Sequence, residues 1–308
     1  MKKIVMVGCH EAGWYAIRQL LLKGLVIHYF VTITKEKAVQ QKVSGYKSFI
    51  DLANEFNIPI YYARKYSLKD ELDINFFKAN KFDLLIQGGW QRLFPNEILN
   101  TLTIGAIGGH GSVEFLPRGR GRSPINWSLI EGQKRFIMQY FLIKDGVDDG
   151  DIFHYEMFDI NEWDDCNTLY YKNSIVTERF FLNFIDKLFY NDVKFLKQQG
   201  IPTYYKKREM NDGKIDWNKS LFEIYNFIRA LTHPYPGSFT FFNNKKVIIW
   251  KAQPFDTRID SSEFAIGEIC YIFDGKLVVK SVGGLLLITE YSFEDNNSLT
   301  LIIGDKFE

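Results

Sequence analysis

The sequence predicts an α/β protein with an N-terminal doubly wound, mostly parallel sheet and a small C-terminal β domain. The first part rests on strand and helix patterns that alternate through the first third of the 308 residues, at the spacing of parallel βαβ units. The second part rests on the short strand patterns after Phe239, which are separated by turn pairs at Asn243-Asn244, Asp274-Gly275 and Gly283-Gly284. These turns favour a small all-β domain such as an open barrel.

The individual elements follow from the apolar pattern in chain order. Strands are predicted at residues 4–7, 26–33, 60–62, 82–87, 136–143 and 152–158, and helices at residues 12–22, 48–54, 72–79, 167–188 and 220–231. Residues 190–213 are polar, without a strong period, and predict a linker across the surface. We therefore expect an N-terminal domain over 1–189, a linker with a connecting helix over 190–238, and a C-terminal domain over 239–308.

Composition argues against several classes of protein. The formal net charge of +1 provides no global field for nucleic acid or for an anionic membrane surface. The three cysteines, Cys9, Cys166 and Cys270, are far apart and predict neither a disulfide framework nor a zinc site, as expected in a reducing cytoplasm. No segment approaches the roughly 20 apolar residues needed to span a bilayer, so we expect a soluble, cytoplasmic protein without a membrane partner.

The first predicted strand ends in the turn Gly8-Cys9-His10-Glu11-Ala12-Gly13, which is close to the dinucleotide pattern G-x-G-x-x-G. His10 replaces the middle glycine, the residue that lets the backbone approach a pyrophosphate. The turn therefore argues against NAD or FAD. His10 is more typical of a turn or a helix start than of a catalytic group.

Residues 107–127 form a glycine-rich segment that reads Ile-Gly-Gly-His-Gly-Ser-Val-Glu-Phe-Leu-Pro-Arg-Gly-Arg-Gly-Arg-Ser-Pro-Ile-Asn-Trp. We interpret it as a loop that follows a strand and leads into a helix. Such a loop brings backbone N–H groups close to a ligand. Its alternating arginines, Arg118, Arg120 and Arg122, suit phosphate or carboxylate oxygens.

An acidic segment lies downstream at residues 145–151, Asp-Gly-Val-Asp-Asp-Gly-Asp, at the end of a predicted strand. Four carboxylates in seven residues suit a divalent cation, but the spacing does not match an EF-hand. On residue chemistry alone, a catalytic segment and a solvated acidic turn are both open interpretations.

Three separated motifs resemble one family when they are taken together. The first motif is Phe82-Asp-Leu-Leu-Ile with Gly-Gly-Trp-Gln-Arg-Leu-Phe-Pro95. The second consists of His110-Gly-Ser, Leu116-Pro-Arg-Gly-Arg-Gly, Pro124-Ile125, Trp127 and Gly132, followed by Gly146-Val-Asp148-Asp-Gly150-Asp151-Ile152. The third consists of Gly213-Lys-Ile-Asp216-Trp217, Ile228-Arg229-Ala230 and Pro236-Gly237. They occur in order between about residues 80 and 252. In this order they resemble the formyltransferase family, which contains methionyl-tRNA formyltransferase and the sugar N-formyltransferases.

The resemblance implies an enzyme with a Rossmann-like catalytic domain that takes its formyl group from 10-formyltetrahydrofolate and needs no metal. It makes His110 the group that transfers protons and helps to hold the formyl oxygen, and Asp148 the group that orients His110. Imidazole suits general acid–base work near neutral pH. The resemblance also implies the residues that contact the pterin, which are Gly88, Trp90, Gln91, Arg92, Leu93 and the backbone at Val147.

Two departures from the family pattern affect the site. Gly108 stands where family members carry an asparagine that donates to the oxyanion, and such a donor contributes about 2.7–4 kcal/mol to the transition state. A backbone N–H of the Gly108-Gly109 pair or the side chain of Asn126 is a candidate replacement. The second departure is an insertion at residues 113–115, which we expect to reshape the acceptor pocket and which makes Glu114 a candidate base. An inactive or repurposed member is the alternative.

The resemblance is compatible with two main acceptors of the formyl group, a tRNA and an amino sugar linked to a nucleotide. Binding of tRNA requires a broad basic surface, but residues 241–308 contain seven Lys and Arg against ten Asp and Glu. An amino sugar linked to a nucleotide requires only a local phosphate clamp. The candidates for that clamp and for stacking on the base are Arg118, Arg120 and Arg122, with Trp90 and Trp127.

We therefore favour a nucleotide-activated amino sugar of glycan biosynthesis, either linked to dTDP or a CMP-linked nonulosonate such as a pseudaminic acid derivative. The alternatives are methionyl-tRNA formylation, formyl transfer on a small metabolite, and a non-catalytic protein that binds folate or a sugar nucleotide. The apolar C-terminal strands are compatible with a homodimer interface and equally with burial in a core.

Overall fold

The computed structural model describes residues 2–43, 45–294 and 299–308, without the side chain of residue 12. The chain forms two compact units whose segments alternate along the sequence. The first unit contains Met1–Pro124, Arg135–Asp159 and Tyr170–Tyr205, and the second contains Ile125–Lys134, Ile160–Leu169 and Lys206–Glu308. Compactness therefore does not follow the linear order of the chain.

The regular elements of the described chain have the following bounds. The strands are β1 (Ile4–Gly8), β2 (Tyr29–Thr32), β3 (Ile60–Tyr62), β4 (Leu84–Gly88), β5 (Gly105–Ser112), β6 (Arg120–Gly121), β7 (Arg135–Leu142), β8 (Ile152–Asp159), β9 (Tyr204–Tyr205), β10 (Ser238–Phe242), β11 (Lys245–Asp256), β12 (Ile269–Phe273), β13 (Lys276–Ser281) and β14 (Gly284–Phe293). The helices are α1 (Glu11–Leu22), α2 (Lys35–Gln40), α3 (Ile50–Phe56), α4 (Glu71–Asn80), α5 (Asn96–Leu99), α6 (Pro124–Ile130), α7 (Cys166–Phe189) and α8 (Leu221–Leu231), with a 3-10 helix at Met210–Gly213.

Seven strands of the first unit form one sheet in the order β3-β2-β1-β4-β5-β7-β8. Strands β1 to β5 are parallel to one another, whereas β7 is antiparallel to both β5 and β8. The strand order reverses between β1 and β4, so the predicted doubly wound, mostly parallel sheet is confirmed. Ligands of such sheets bind outside the carboxyl ends of the strands at this reversal, where Gly8 pairs with Gly88.

Apolar side chains cover both faces of this sheet. On one face, Leu20 of α1 and Phe180 of α7 pack with Ile86 of β4. On the other face, Phe77 of α4 packs with Leu85, the preceding residue of β4. Successive residues of β4 thus enter opposite cores, because the side chains of a strand alternate between its faces.

The glycine-rich segment that was predicted as a loop after residue 107 continues as strand β5 to Ser112. β5 pairs antiparallel with β7 along this segment. A Cβ added to Gly111 would lie 2.1 Å from the ring of Phe136, and one added to Gly109 would lie 2.4 Å from the methyl group of Met138. The loop prediction was wrong because these glycines make room for large side chains of the neighbouring strand.

The arginine-containing segment after β5 is irregular except at β6, which pairs in parallel with β9. β9 lies within residues 190–213, which were predicted to be a linker across the surface. The same segment meets β8, where Leu196 pairs with Ile152. Residues 190–205 therefore belong to the first unit and contact the segment that carries the arginines.

The second unit contains a five-stranded antiparallel sheet in the order β10-β11-β14-β13-β12, so the predicted small C-terminal β structure is confirmed. The predicted turn pairs at residues 243–244 and 274–275 separate β10 from β11 and β12 from β13, and the third pair lies at the start of β14, with Gly284 as the first residue of that strand. α8 begins after the N-cap Ser220, which forms a capping box with Glu223. Its residues Ile224 and Ile228 pack into the core of the sheet.

Some local elements differ from the sequence prediction. The helices α2 and α5 were not predicted, and the second strand is limited to Tyr29–Thr32. Both missed helices are short, so their apolar periodicity covers fewer than two full turns. None of the helices in the described part of the chain is long and apolar enough to cross a membrane.

Candidate active site

His110 lies on β5 and is only 7% exposed. Its Nε2 atom is 2.8 Å from the carbonyl oxygen of Gly119, and its Nδ1 atom is 3.3 Å from Oδ2 of Asp148. Each ring nitrogen thus faces an oxygen acceptor, and only the doubly protonated imidazole donates to both. The structure brings together the two residues that the motif assigned to catalysis, and it supplies a carboxylate for a positive charge on the ring.

Asp148 is held in place by its backbone and by a distant side chain. Its φ of 49° is left-handed, a conformation that Asp and Asn tolerate better than most residues. Its Oδ2 accepts a hydrogen bond from the N–H of Gly121 at 3.1 Å. The amide of Gln198 donates to the carbonyl oxygens of Asp148 and Gly150 at 2.7 and 2.9 Å. The carboxylate is therefore oriented before any ligand binds.

The other carboxylates of residues 145–151 do not join Asp148. Asp151 forms an ion pair with Lys144 at 2.9 Å. The buried Oδ1 of Asp149 has no hydrogen-bond partner among the described residues. In the described ranges, no group of three or more His, Cys, Asp or Glu side chains is placed to hold a metal ion. The segment thus directs one carboxylate, that of Asp148, to His110.

Three of the residues predicted to contact the pterin, Trp90, Gln91 and Arg92, contact Tyr66. The N–H of Gln91 donates to the phenol oxygen of Tyr66 at 3.1 Å, and the guanidinium of Arg92 lies 4.6 Å from the centre of its ring. Burial raises the pKa of Tyr66, so the phenol stays protonated near neutral pH. Leu93 and Val147 are exposed apolar side chains, at 49% and 42%. Contact of these residues with a pterin stays a prediction.

Trp90 differs from its expected role as a stacking surface. Its side chain is 3% exposed and packs edge-on against Tyr66, with ring centres 4.6 Å apart, inside a buried cluster. The ring therefore has no free face for a pterin or a nucleotide base. Its backbone carbonyl oxygen instead accepts a hydrogen bond from the side-chain amide of Gln87 at 2.8 Å.

The three arginines of the glycine-arginine run have different partners. Arg118 is paired with the carboxylate of Glu114, with 2.8 Å between Nε and Oε2. Arg120 donates to the neutral amide oxygen of Gln198 at 2.6 Å, and Arg122 also donates to an amide oxygen. Within the described ranges neither Arg120 nor Arg122 has a carboxylate partner. These two arginines therefore keep an uncompensated charge for an anionic ligand, whereas Arg118 does not.

Arg122 lies next to the predicted folate residues. Its guanidinium donates to Oε1 of Gln91 at 3.0 Å. Burial lowers the pKa of His10 from 6.5 to about 4, with the charge of Glu11 opposing the shift and that of Arg122 adding to it. His10 directly precedes α1, as predicted for a helix start. The positive charge of Arg122 thus contributes to the low pKa of His10, at the carboxyl end of β1.

The insertion at residues 113–115 is irregular and precedes a turn at residues 116–119, and the buried side chain of Gln139 contacts both segments. Its Oε1 accepts from the N–H of Leu116 at 2.9 Å, and its Nε2 donates to the carbonyl oxygen of Glu114 at 3.2 Å. The carboxylate of Glu114 is occupied by Arg118. Its role as a base stays a prediction, and in this arrangement it would have to leave that ion pair.

Asn126, a candidate replacement for the family asparagine, lies on α6 and is 1% exposed. Its Nδ2 donates to the carbonyl oxygen of Ala230 on α8, within the second unit, at 2.6 Å. One N–H of this amide is therefore used to hold two helices together. Its Oδ1 has no hydrogen-bond partner among the described residues. Its assignment to the oxyanion stays a prediction.

Sequence reasoning missed three polar residues that shape the site: Gln87, Gln198 and Thr203. Thr203 accepts a hydrogen bond from the N–H of Gly119 at 2.8 Å, next to the carbonyl group that contacts His110. A polar residue that ends an apolar strand pattern was the signal for Gln87. The other two lie in the segment without periodicity and gave no local signal.

Comparison with known proteins identifies the family. Residues 2–183 match the family model described as formyl transferase, and residues 207–301 match the formyl transferase C-terminal domain. The bifunctional polymyxin resistance protein ArnA of Wigglesworthia glossinidia brevipalpis is 29% identical over 252 residues, 82% of this chain and 38% of that protein. Methionyl-tRNA formyltransferase of Thermodesulfovibrio yellowstonii is 29% identical over 250 residues, 81% of this chain and 80% of that protein.

A solved structure has the same fold. The N-formyltransferase from Helicobacter canadensis, in complex with folinic acid and dTDP-3-aminofucose, superposes with a TM-score of 0.65 at 17% identity, over 95% of this chain and 100% of that one. The family model covers more than half of the sequence and contains the segment with His110 and Asp148. The chain therefore belongs to the formyl transferase family and is a formyl-transferring enzyme.

Proposed function

We propose that this enzyme transfers the formyl group of 10-formyltetrahydrofolate to the amine of a nucleotide-activated amino sugar. Membership of the family makes it a folate-dependent formyltransferase, so the acceptor is the inferred part. The observation that carries the chemistry is the contact of His110 with Asp148 on a buried strand. The charge balance of the C-terminal region supports the choice of acceptor.

In the proposed reaction, the acceptor amine attacks the formyl carbon, and the formyl oxygen becomes an oxyanion on a tetrahedral intermediate. The amine nitrogen then loses a proton, the bond from carbon to N10 of the folate breaks, and N10 gains a proton. The products are the formamide and tetrahydrofolate, with no net change in protons. This sequence requires one group that accepts a proton and returns it nearby.

His110 suits that task because its imidazole is positioned on both sides. Its Nε2 lies 2.8 Å from the carbonyl oxygen of Gly119, and its Nδ1 lies 3.3 Å from the carboxylate of Asp148. The carboxylate of Asp148 stabilises the imidazolium that forms when His110 accepts a proton. Because both contacts are made by buried or half-buried groups, water screens them little.

The acceptor is inferred from charge. Residues 241–308 carry more acidic than basic side chains, which opposes the broad neutralisation of phosphates that tRNA binding requires. A sugar nucleotide carries two phosphates when it is linked to dTDP and one when it is linked to CMP, so a small cluster of cationic side chains is enough to bind it. Arg120 and Arg122, which have no carboxylate partner in the described ranges, support such a cluster, and Arg118 contributes less because Glu114 neutralises it.

Within this class we propose two acceptors, a dTDP-linked amino sugar and a CMP-linked nonulosonate such as a pseudaminic acid derivative. Both present an amine on a sugar that is attached to a nucleotide through phosphate. The Helicobacter canadensis enzyme of the same fold is in complex with dTDP-3-aminofucose, which makes that compound the natural first substrate to test.

The test is formyl transfer from 10-formyltetrahydrofolate to a panel of amino-sugar nucleotides, with release of tetrahydrofolate as the readout. The panel contains dTDP-3-aminofucose, a dTDP-4-amino sugar, a CMP-linked aminated nonulosonate and the same sugars without their nucleotide. We expect transfer to at least one nucleotide-linked sugar and a much weaker reaction with the free sugar. Transfer to none of them would contradict the proposed acceptor class.

Methionyl-tRNA formylation is the second candidate, because a curated relative with that name matches 81% of this chain. Initiator methionyl-tRNA therefore belongs in the same panel. Transfer to the tRNA alone would establish this second candidate in place of the amino sugar.

A further inference from the structure

Position 108 is occupied by glycine, and neighbouring side chains leave little room there for a Cβ atom. Its φ lies outside the positive range, so its backbone conformation is open to other residues. An ideal Cβ on Gly108 would lie 2.9 Å from Oε1 of Gln87 and 2.9 Å from Cγ1 of Ile143. Real Cβ atoms essentially never approach other atoms this closely. The volume in which a side chain at position 108 would begin is therefore shared by the amide of Gln87 and the side chain of Ile143.

The sheet brings Gln87 to this place. β4 and β5 are parallel, with Ile86 opposite Ile107, so the next residues of the two strands, Gln87 and Gly108, lie side by side. Side chains two positions apart on a strand share a face. The residues two positions earlier on each strand belong to the same buried cluster, and they are Leu85 and Ala106.

The same alternation relates Gln87 to the catalytic histidine. His110 follows Gly108 by two residues on β5, so His110 and a side chain at position 108 would project from the same face. The amide of Gln87 thus lies on the face of the sheet that carries the imidazole. No residue of β5 itself supplies an amide there.

The amide of Gln87 is positioned and only partly used. Its Nε2 donates to the carbonyl oxygen of Trp90 at 2.8 Å, which fixes the plane of the group. Among the described residues, its second N–H and its Oε1 have no hydrogen-bond partner. The side chain is half-buried rather than enclosed. One amide donor is therefore oriented and available to a ligand at the carboxyl end of β4.

We propose that Gln87, on the neighbouring strand β4, supplies the amide donor that stabilises the formyl oxyanion. It would replace the asparagine that family members carry at the position of Gly108. The inference rests on the proposed formyl transfer at His110. An amide moved from one strand to the next is accommodated most easily opposite a glycine, and at 2.9 Å the amide of Gln87 would have to shift if position 108 carried a side chain. Gln87 and Gly108 therefore form a matched pair.

The test is a set of variants that moves the amide from position 87 to position 108. Gln87→Met keeps a side chain of similar length without the amide, and we expect kcat to fall about 10²-fold, the size of losing one oxyanion donor, with KM for both substrates changed less than about threefold. Gly108→Asn alone places two amides in one volume, so we expect loss of activity and a lower melting temperature. In Gln87→Ala/Gly108→Asn the contact with Gln87 is removed, so only Ile143 has to shift, and we expect kcat at least about tenfold above that of Gln87→Ala.

The melting temperature and the binding of folinic acid are measured for each variant. If the role of Gln87 were purely structural, its removal would change these two properties, and the double variant would not regain kcat. The substrate is 10-formyltetrahydrofolate with dTDP-3-aminofucose, and hydrolysis of the folate without acceptor is measured in parallel, since it forms the same oxyanion.

The outcomes separate the two proposals. Unchanged kcat in a folded Gln87→Met variant overturns the role of Gln87 and leaves the proposed function standing. No rescue in the folded double variant also overturns it. If the wild type hydrolyses 10-formyltetrahydrofolate but formylates no amino sugar, only the acceptor is wrong, and hydrolysis by the variants decides the role of Gln87. A wild type that neither transfers nor hydrolyses overturns both.

Discussion

The strand β5, which carries His110, and the arginine loop, residues 113–122, are adjacent in the sequence and are positioned by different means. β5 is paired with β4 on one side and β7 on the other, so its side chains are placed by the register and pleat of a sheet. The arginine loop has regular structure only in β6. It is held by Gln139, Gln198 and Thr203, which lie outside it.

We expect this difference to separate the residues that catalyse the reaction from those that bind the acceptor. A position on a paired, buried strand is maintained by many contacts, and one substitution there removes a functional group without moving its neighbours. A loop held by a few hydrogen bonds depends on each of them. We expect changes in β5 to lower kcat with binding retained, and changes in the arginine loop or its supports to alter binding or stability.

The largest effect is expected at His110. Removal of the proton-transfer group in His110→Ala should lower kcat about 10³-fold, within the range of general acid–base catalysis, with KM nearly unchanged. Steady-state kinetics with 10-formyltetrahydrofolate measure this. His154→Ala is the matched control, because His154 lies in the same unit and has its own carboxylate partner, Glu156, at 3.1 Å. Equal losses in the two variants would show that His110 has no special role.

The next largest effect distinguishes the arginines of the loop. Arg122 has only a neutral partner, so Arg122→Ala should raise KM for the sugar nucleotide about tenfold, as expected when a hydrogen bond to a charged group is lost. Arg118→Ala should raise it less than about threefold, since Glu114 already neutralises Arg118 in an exposed pair. A larger effect at Arg118 than at Arg122 would reverse our assignment of the phosphate contacts.

A smaller effect is expected at a support of the loop. Gln198 donates to two carbonyl groups of residues 148–150 and accepts from Arg120, so Gln198→Ala should lower the free energy of unfolding by about 1–3 kcal/mol. Denaturant unfolding of the whole chain measures this. Gln199→Ala changes an exposed neighbour and should be close to neutral. Equal stability of the two variants would mean that Gln198 does not hold the loop.

The smallest effect is expected at Glu114. Its carboxylate is exposed and paired with Arg118, so Glu114→Gln should change kcat less than about twofold. The measurement is kcat across the pH range in which the enzyme is stable. A tenfold loss of kcat with normal folding would instead support Glu114 as a base and would extend the chemistry from the strand into the loop.

Several features were predictable because they are encoded locally. Short continuous apolar runs that end in glycine identified β1 and β4, and the turn residues Asn243-Asn244 identified a hairpin of the C-terminal sheet. The motif around His110 and Asp148 identified the family before any fold was known, and the structure places the two side chains in contact.

Other features were not predictable from local patterns. Glycines 108, 109 and 111 suggested a loop, since their composition does not reveal the large cross-strand side chains that they accommodate. Trp90 suggested a stacking surface, but its burial depends on Tyr66, which lies on another element. Whether a side chain faces a core or a ligand is decided by neighbours that are distant in the sequence.

The sequence by itself determined the doubly wound architecture and the family, and it selected His110 and Asp148 as the candidate catalytic pair, because periodicity and motif spacing are properties of short segments. Only the tertiary structure decided that Gln198 and Thr203 hold a loop about 80 residues away and that Gln87 fills the space beside Gly108. Such contacts depend on strand order and register, which pair residues through the closure of long loops and leave no trace in the local pattern.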